Sequence, residues 1–263
     1  MTSIDAPVAP ATPVELPPVA RPPRVWKFIG TSLWGLFAFA AIFLGQLTVV
    51  AYYVLIKDAP LDASLLTTTL SSGTTIAMSV IMGLPAVCLA LWLAIWLARM
   101  RFADYLALRG TSWQNFVWGT VCLVLLVGCW DLLSRALGRD PSPGFMLDVL
   151  KSARADGALW LLVLAFCVGA PMTEEFFARG FLYRGWSESF LRPVGAIVLS
   201  SAVWTAVHLQ YDWFFFGEIF SIGLLFGYFR YRSQSTWLTI FLHGLNNLAA
   251  TVQTLWLAGQ PGN

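Results

Sequence analysis

Apolar residues in this chain neither alternate nor recur at helical spacing. They gather in long runs, the first of them free of charge. Phe28 to Ile56 contains no charge at all, and ~20 consecutive apolar residues are enough to cross a hydrocarbon layer as a helix. Six further runs follow. Thr74–Ala98 contains Pro85, where a kink is expected. Trp113–Leu137 carries Asp131, Gly157–Tyr183 carries Glu174 and Glu175, and Pro193–Tyr211 carries His208. Trp213–Phe229 carries Glu218, and Trp237–Leu257 carries His243. Backbone groups in lipid must bond within their own segment, so the pattern predicts an all-α, polytopic transmembrane helical bundle of about seven spans, with a range of six to eight.

Composition agrees. Of the 263 residues, 58% are hydrophobic and 11% charged, against roughly 25% charged in soluble domains. The net charge of +2 comes without a basic cluster, which argues against a nucleic-acid partner. Cys88, Cys122, Cys129 and Cys167 lie in apolar runs without CxxC spacing and read as packing residues. The first 23 residues are rich in Pro and Ala and lack the apolar core of a signal peptide. The expected organisation is a disordered cytoplasmic tail over 1–27, N-terminal transmembrane helices over 28–147, and a catalytic core over 148–263.

Basic residues between spans set orientation. Arg21, Arg24, Lys27, Arg99, Arg101, Arg109, Arg179, Arg184, Arg192, Arg230 and Arg232 fall on one side, eleven of the sixteen Lys and Arg residues. That side is assigned to the cytoplasm, which puts the N-terminus inside and the C-terminus outside a cell (inner) membrane. Residues 141–156 read as a short amphipathic helix on the outer interface.

The unusual residues gather in the last four runs. Carboxylates and imidazoles at membrane depth are costly unless paired or used, and His208 and His243 are the chain's two histidines. Glu175 and Arg179 are four apart, in the favourable order for a helical ion pair. Glu174 points elsewhere and remains a free carboxylate suited to general-base work. His208 shares a helix face with Trp204, and His243 shares one with Asn247. Two chemistries fit. Glu174, His208 and His243 would bind Zn²⁺ with an open water position. Alternatively, Glu174 and His208 activate water directly while His243 and Asn247 hold an oxyanion. Either way the reaction is amide hydrolysis.

In order, Glu174-Glu175-xxx-Arg179, Trp204-xxx-His208 and His243-xxx-Asn247 resemble the CPBP family of intramembrane proteases. That family is related to the type II CAAX prenyl endopeptidase and is also called Abi. The resemblance covers roughly residues 150–255. It implies a helical membrane core with a buried polar cavity, and peptide-bond hydrolysis by Glu174 and His208 with His243 and Asn247 assisting. The family is labelled metalloprotease, yet its motif also supports a glutamate mechanism without metal. Expected partners are a lipid bilayer and a peptide or membrane-anchored protein substrate, cut near the cytoplasmic half of the bilayer. The pattern would fit a bacterial member. Two departures stand out: the second motif usually has Phe where this chain has Trp204, and simple threading separates His208 axially from Glu174 and His243 by up to ~10 Å. The rival readings are a non-catalytic scaffold or immunity protein of the same fold, and a small ion-coupled transporter.

Overall fold

The computed structural model describes residues 22–55, 68–140 and 144–258. The described residues are helical, with no strand among them. We number the helices α1 (Phe28–Leu55), α2 (Gly73–Leu97), α3 (Phe102–Tyr105), α4 (Trp113–Ala136), α5 (Gly144–Ala155), α6 (Leu159–Ser187), α7 (Arg192–Ala206), α8 (Trp213–Ser233) and α9 (Thr236–Ala258). Each of the seven predicted runs forms a helix, with ends moved by up to five residues. Helices α1, α2, α4 and α6 are long and apolar enough to cross a membrane. Helix α7 has only 15 residues, roughly 22 Å at 1.5 Å per residue. Helix α2 continues through Pro85 without a break in its assignment.

Helix α6 is the hub, touching α1, α2, α7, α8 and α9. Its apolar stretch is 56% buried, against 11–33% for α1, α2 and α4. Those three instead present Leu36, Trp92, Trp96, Leu125 and Leu132 outward, the arrangement expected where the solvent is hydrocarbon. Helix α6 is also irregular, with π-helical turns at Ala165–Gly169 and Phe176–Leu182. The first has a local cause. The Ala170 N–H bonds the Ala165 carbonyl, and residue 171 is proline. Phe166 therefore loses its α-helical donor to Ala165, and Cys167 loses its own to the proline nitrogen. Helix α9 covers both carbonyls. Asn247 Nδ2 donates to Phe166 O at 2.9 Å. Gly244 lies so close that a Cβ there would sit 2.6 Å from Cys167 O.

Three expectations change. Residues 22–27, assigned to a disordered tail, are tied to the bundle: Arg24 N–H donates to Ala98 O, and Trp26 donates from its backbone to the Tyr105 hydroxyl and from its indole to Ala94 O. A bulky aromatic next to a helix start finds a groove to fill. Residues 1–21 of that tail lie outside the described residues. The segment expected as an interfacial helix forms α5, but Val149, Leu150 and Ala153 pack on Ala77, Leu162 and Ala165 of α2 and α6; residues 141–143 are outside the described residues. Arg179 and Arg230, counted as loop charges, are wholly buried.

Candidate active site

The site is built from the middle of α6, the end of α7 and the first half of α9. Glu175 and Arg179 form the predicted i,i+4 pair, with Nη1 to Oε1 at 2.9 Å and neither side chain exposed. Arg179 also donates from Nη2 to the Gly223 carbonyl of α8 at 3.1 Å, and its guanidinium lies 4.5 Å from the Trp204 ring centroid on α7. One arginine thus binds three helices around one carboxylate.

Glu175 has a second task that reading the helix alone misses. Its Oε1 lies 3.0 Å from His243 Nδ1. A carboxylate accepts, so Nδ1 carries the hydrogen and Nε2 is left with its lone pair. His208 is set in the same way by a different partner. Helix α7 stops at Ala206, and His208 lies just beyond it rather than inside the span. Its Nδ1 stands 2.7 Å from the Trp204 carbonyl, one of the acceptors a helix end leaves free. Both imidazoles therefore present Nε2 to the same place.

That place is Glu174. Its Oε2 lies 3.9 Å from His208 Nε2 and 3.9 Å from His243 Nε2. The axial mismatch of simple threading disappears for two reasons: α7 is short, and α9 begins recessed. Thr236 is fully buried, with its N–H on Ala107 O and its hydroxyl on Leu106 O. The Trp204 indole N–H donates to Glu174 Oε2 at 2.5 Å, and the Trp204 ring meets both imidazoles edge to face.

These groups line a cavity of about 430 Å³. Asn246, Asn247, Tyr211 and Glu218 also line it. Tyr211 stacks on His208 at 6.1 Å. Asn247, expected to hold an oxyanion, has one amide hydrogen on Phe166 and retains one more. Nothing local in the sequence marked Tyr211, which reaches the site only through the α7–α8 turn.

Two imidazole nitrogens and a carboxylate are a zinc-type donor set. Among the described residues, no group of three His, Cys, Asp or Glu is placed in this arrangement to hold a metal.

Residues 156–249 match the family model described as type II CAAX prenyl endopeptidase Rce1-like. No curated protein and no solved structure matches the chain. The matched segment holds Glu174, Glu175, Arg179, Trp204, His208, His243 and Asn247, and over it this multi-pass membrane protein resembles the type II CAAX prenyl endopeptidase family of membrane proteases.

Proposed function

We propose that the protein is an intramembrane endopeptidase that hydrolyses a peptide bond of a peptide or membrane-associated protein through water activated by Glu174 and His208. The observation that carries this reading is the approach of two Nε2 atoms to one carboxylate oxygen, each at 3.9 Å, on a cavity wall. That spacing is too long for direct hydrogen bonds and suits a bridging water. Such a water gives one hydrogen to Glu174 and one to His208 Nε2, which aims its lone pair at a substrate carbonyl. As the water attacks, its proton passes to Glu174, and from there to the leaving amine.

The remaining Asn247 amide hydrogen meets the developing oxyanion. His243, expected to share that role, has its hydrogen on Glu175 and instead closes the water seat beside His208. No step calls for a metal.

The test uses the full chain in liposomes with a fluorogenic peptide library. Glu174→Gln keeps the size and loses the base, so cleavage falls at least about 100-fold while the thermal midpoint stays put. Equal cleavage by wild type and Glu174→Gln would sink the proposal. Elemental mass spectrometry on the same samples adds a second check: about one zinc per chain in active wild type, absent from His208→Ala/His243→Ala, would replace the glutamate mechanism with a metal-dependent one.

A further inference from the structure

We infer that the Trp204 indole N–H is a positioning group that fixes the Glu174 carboxylate, and that the ring is needed for its hydrogen as well as its bulk. This rests on the protease reading. The indole hydrogen makes the one hydrogen bond that the Glu174 carboxylate has among the described residues, at 2.5 Å. The acid otherwise faces the cavity, with its side chain 28% exposed. A glutamate so placed has three side-chain torsions free, and the two imidazoles beside it turn lone pairs, not hydrogens, toward its Oε2.

The donor itself is fixed from every side. Trp204 is 5% exposed. The Arg179 guanidinium covers one region of its ring at 4.5 Å, Phe226 lies 6.0 Å away, and a Cβ on Gly223 would come within 3.2 Å of its Cε3. Its backbone carbonyl holds His208 Nδ1. One residue thus sets the carboxylate with its side chain and the imidazole with its main chain. Its edge also faces His243, with centroids 5.3 Å apart.

The hydrogen bond keeps the site assembled. Oε2 stands 3.9 Å from each Nε2, and both nitrogens face it with lone pairs, so a carboxylate released from the indole has no hydrogen to hold it there and turns away into the cavity. That departure removes the seat of the attacking water. Losing the hydrogen therefore lowers turnover without altering how the rest of the cavity grips a substrate.

The experiment replaces Trp204 by nonsense suppression with benzothienylalanine, which keeps the fused ring and substitutes sulfur for N–H, beside Trp204→Phe. The expected result is a kcat lowered about 10–100-fold in both, with KM within about twofold and, for benzothienylalanine, an unchanged thermal midpoint; the smaller phenyl ring lowers the midpoint. An unchanged kcat would overturn the inference. A second readout needs no turnover. In ¹⁵N-indole spectra of the detergent-solubilised chain, one of thirteen tryptophan signals vanishes in Trp204→Phe, and Glu174→Gln shifts that same signal. No shift would show the contact to be absent and overturn the inference independently of activity. If wild type and Glu174→Gln cleave alike, the protease reading falls and the positioning role with it, while the indole signal still reports whether the contact exists.

Discussion

At the residue scale, Glu175 joins two jobs that normally conflict. A buried carboxylate paired with arginine is a structural device, and one bonded to an imidazole tunes chemistry. Here a single oxygen, Oε1, serves Arg179 at 2.9 Å and His243 at 3.0 Å. Removing either charge leaves the other buried and uncompensated, so Glu175→Leu or Arg179→Met alone destabilises by about 3–5 kcal/mol, and the double variant recovers most of that loss. Stability and activity then part company. The double variant is expected to approach the wild-type thermal midpoint while cleavage stays low, because His243 has lost the acceptor that orients it; recovered cleavage would confine Glu175 to structure. Arg230 is the opposite case. It is wholly buried, its Nε, Nη1 and Nη2 have no hydrogen-bond partner among the described residues, and the Tyr183 ring lies 5.2 Å from its guanidinium. Arg230→Met removes that desolvated charge and is expected to stabilise by about 1 kcal/mol or more, seen as a raised midpoint; a lowered one would mean that the contact with Tyr183 outweighs the desolvation.

At the element scale, the irregular turns of α6 are what bring the site together. The turn at Ala165–Gly169 presents Phe166 O and Cys167 O to α9, which meets them with an amide and a bare Cα. Gly244→Ala places a methyl group 2.6 Å from backbone oxygen, and neither helix backbone can swing aside as a side chain would. The expected cost is about 1–3 kcal/mol, with a loss of cleavage as His243, one residue away, is displaced; an unchanged midpoint would show that α9 slides freely. This layer was hidden in the sequence. Long apolar runs fixed the helices to within a few residues, and the i,i+4 spacing revealed Glu175 with Arg179. The π turn at Ala165–Gly169 arises from a proline, and its freed carbonyls are met by a helix about seventy residues later. The partner that sets His243, Glu175 Oε1, is a matter of tertiary approach, and the one that sets His208, Trp204 O, depends on where α7 stops, so motif spacing picked out candidate residues without their hydrogen bonds.

At the scale of the whole molecule, hydrogen bonds sort the connections onto two ends. Arg24 to Ala98, Thr236 to Ala107 and Arg109 Nε to Gln234 O gather residues 22–27, the α2–α4 segment and the α8–α9 turn at one end. The Arg139–Asp212 ion pair joins the α4–α5 and α7–α8 connections at the other. The basic residues Arg24, Lys27, Arg99, Arg101, Arg109 and Arg192 lie at the first end, and the excess survives removal of the buried Arg179 and Arg230. The cavity leans toward the second end, since Gln210, Tyr211 and Phe145 line it. Two expectations from the sequence therefore collide: basic loops inside and cleavage in the cytoplasmic half cannot both hold. Loop charge is the physical determinant of insertion, so we expect the cavity to lie in the outer half. Single cysteines added to a cysteine-free chain in intact cells decide this. A membrane-impermeant thiol reagent should label Gly138→Cys and Gln210→Cys and leave Gly110→Cys and Gln234→Cys untouched. The reverse pattern would place the cavity toward the cytoplasm and mean that the tightly packed α6–α9 core overrides loop charge during insertion.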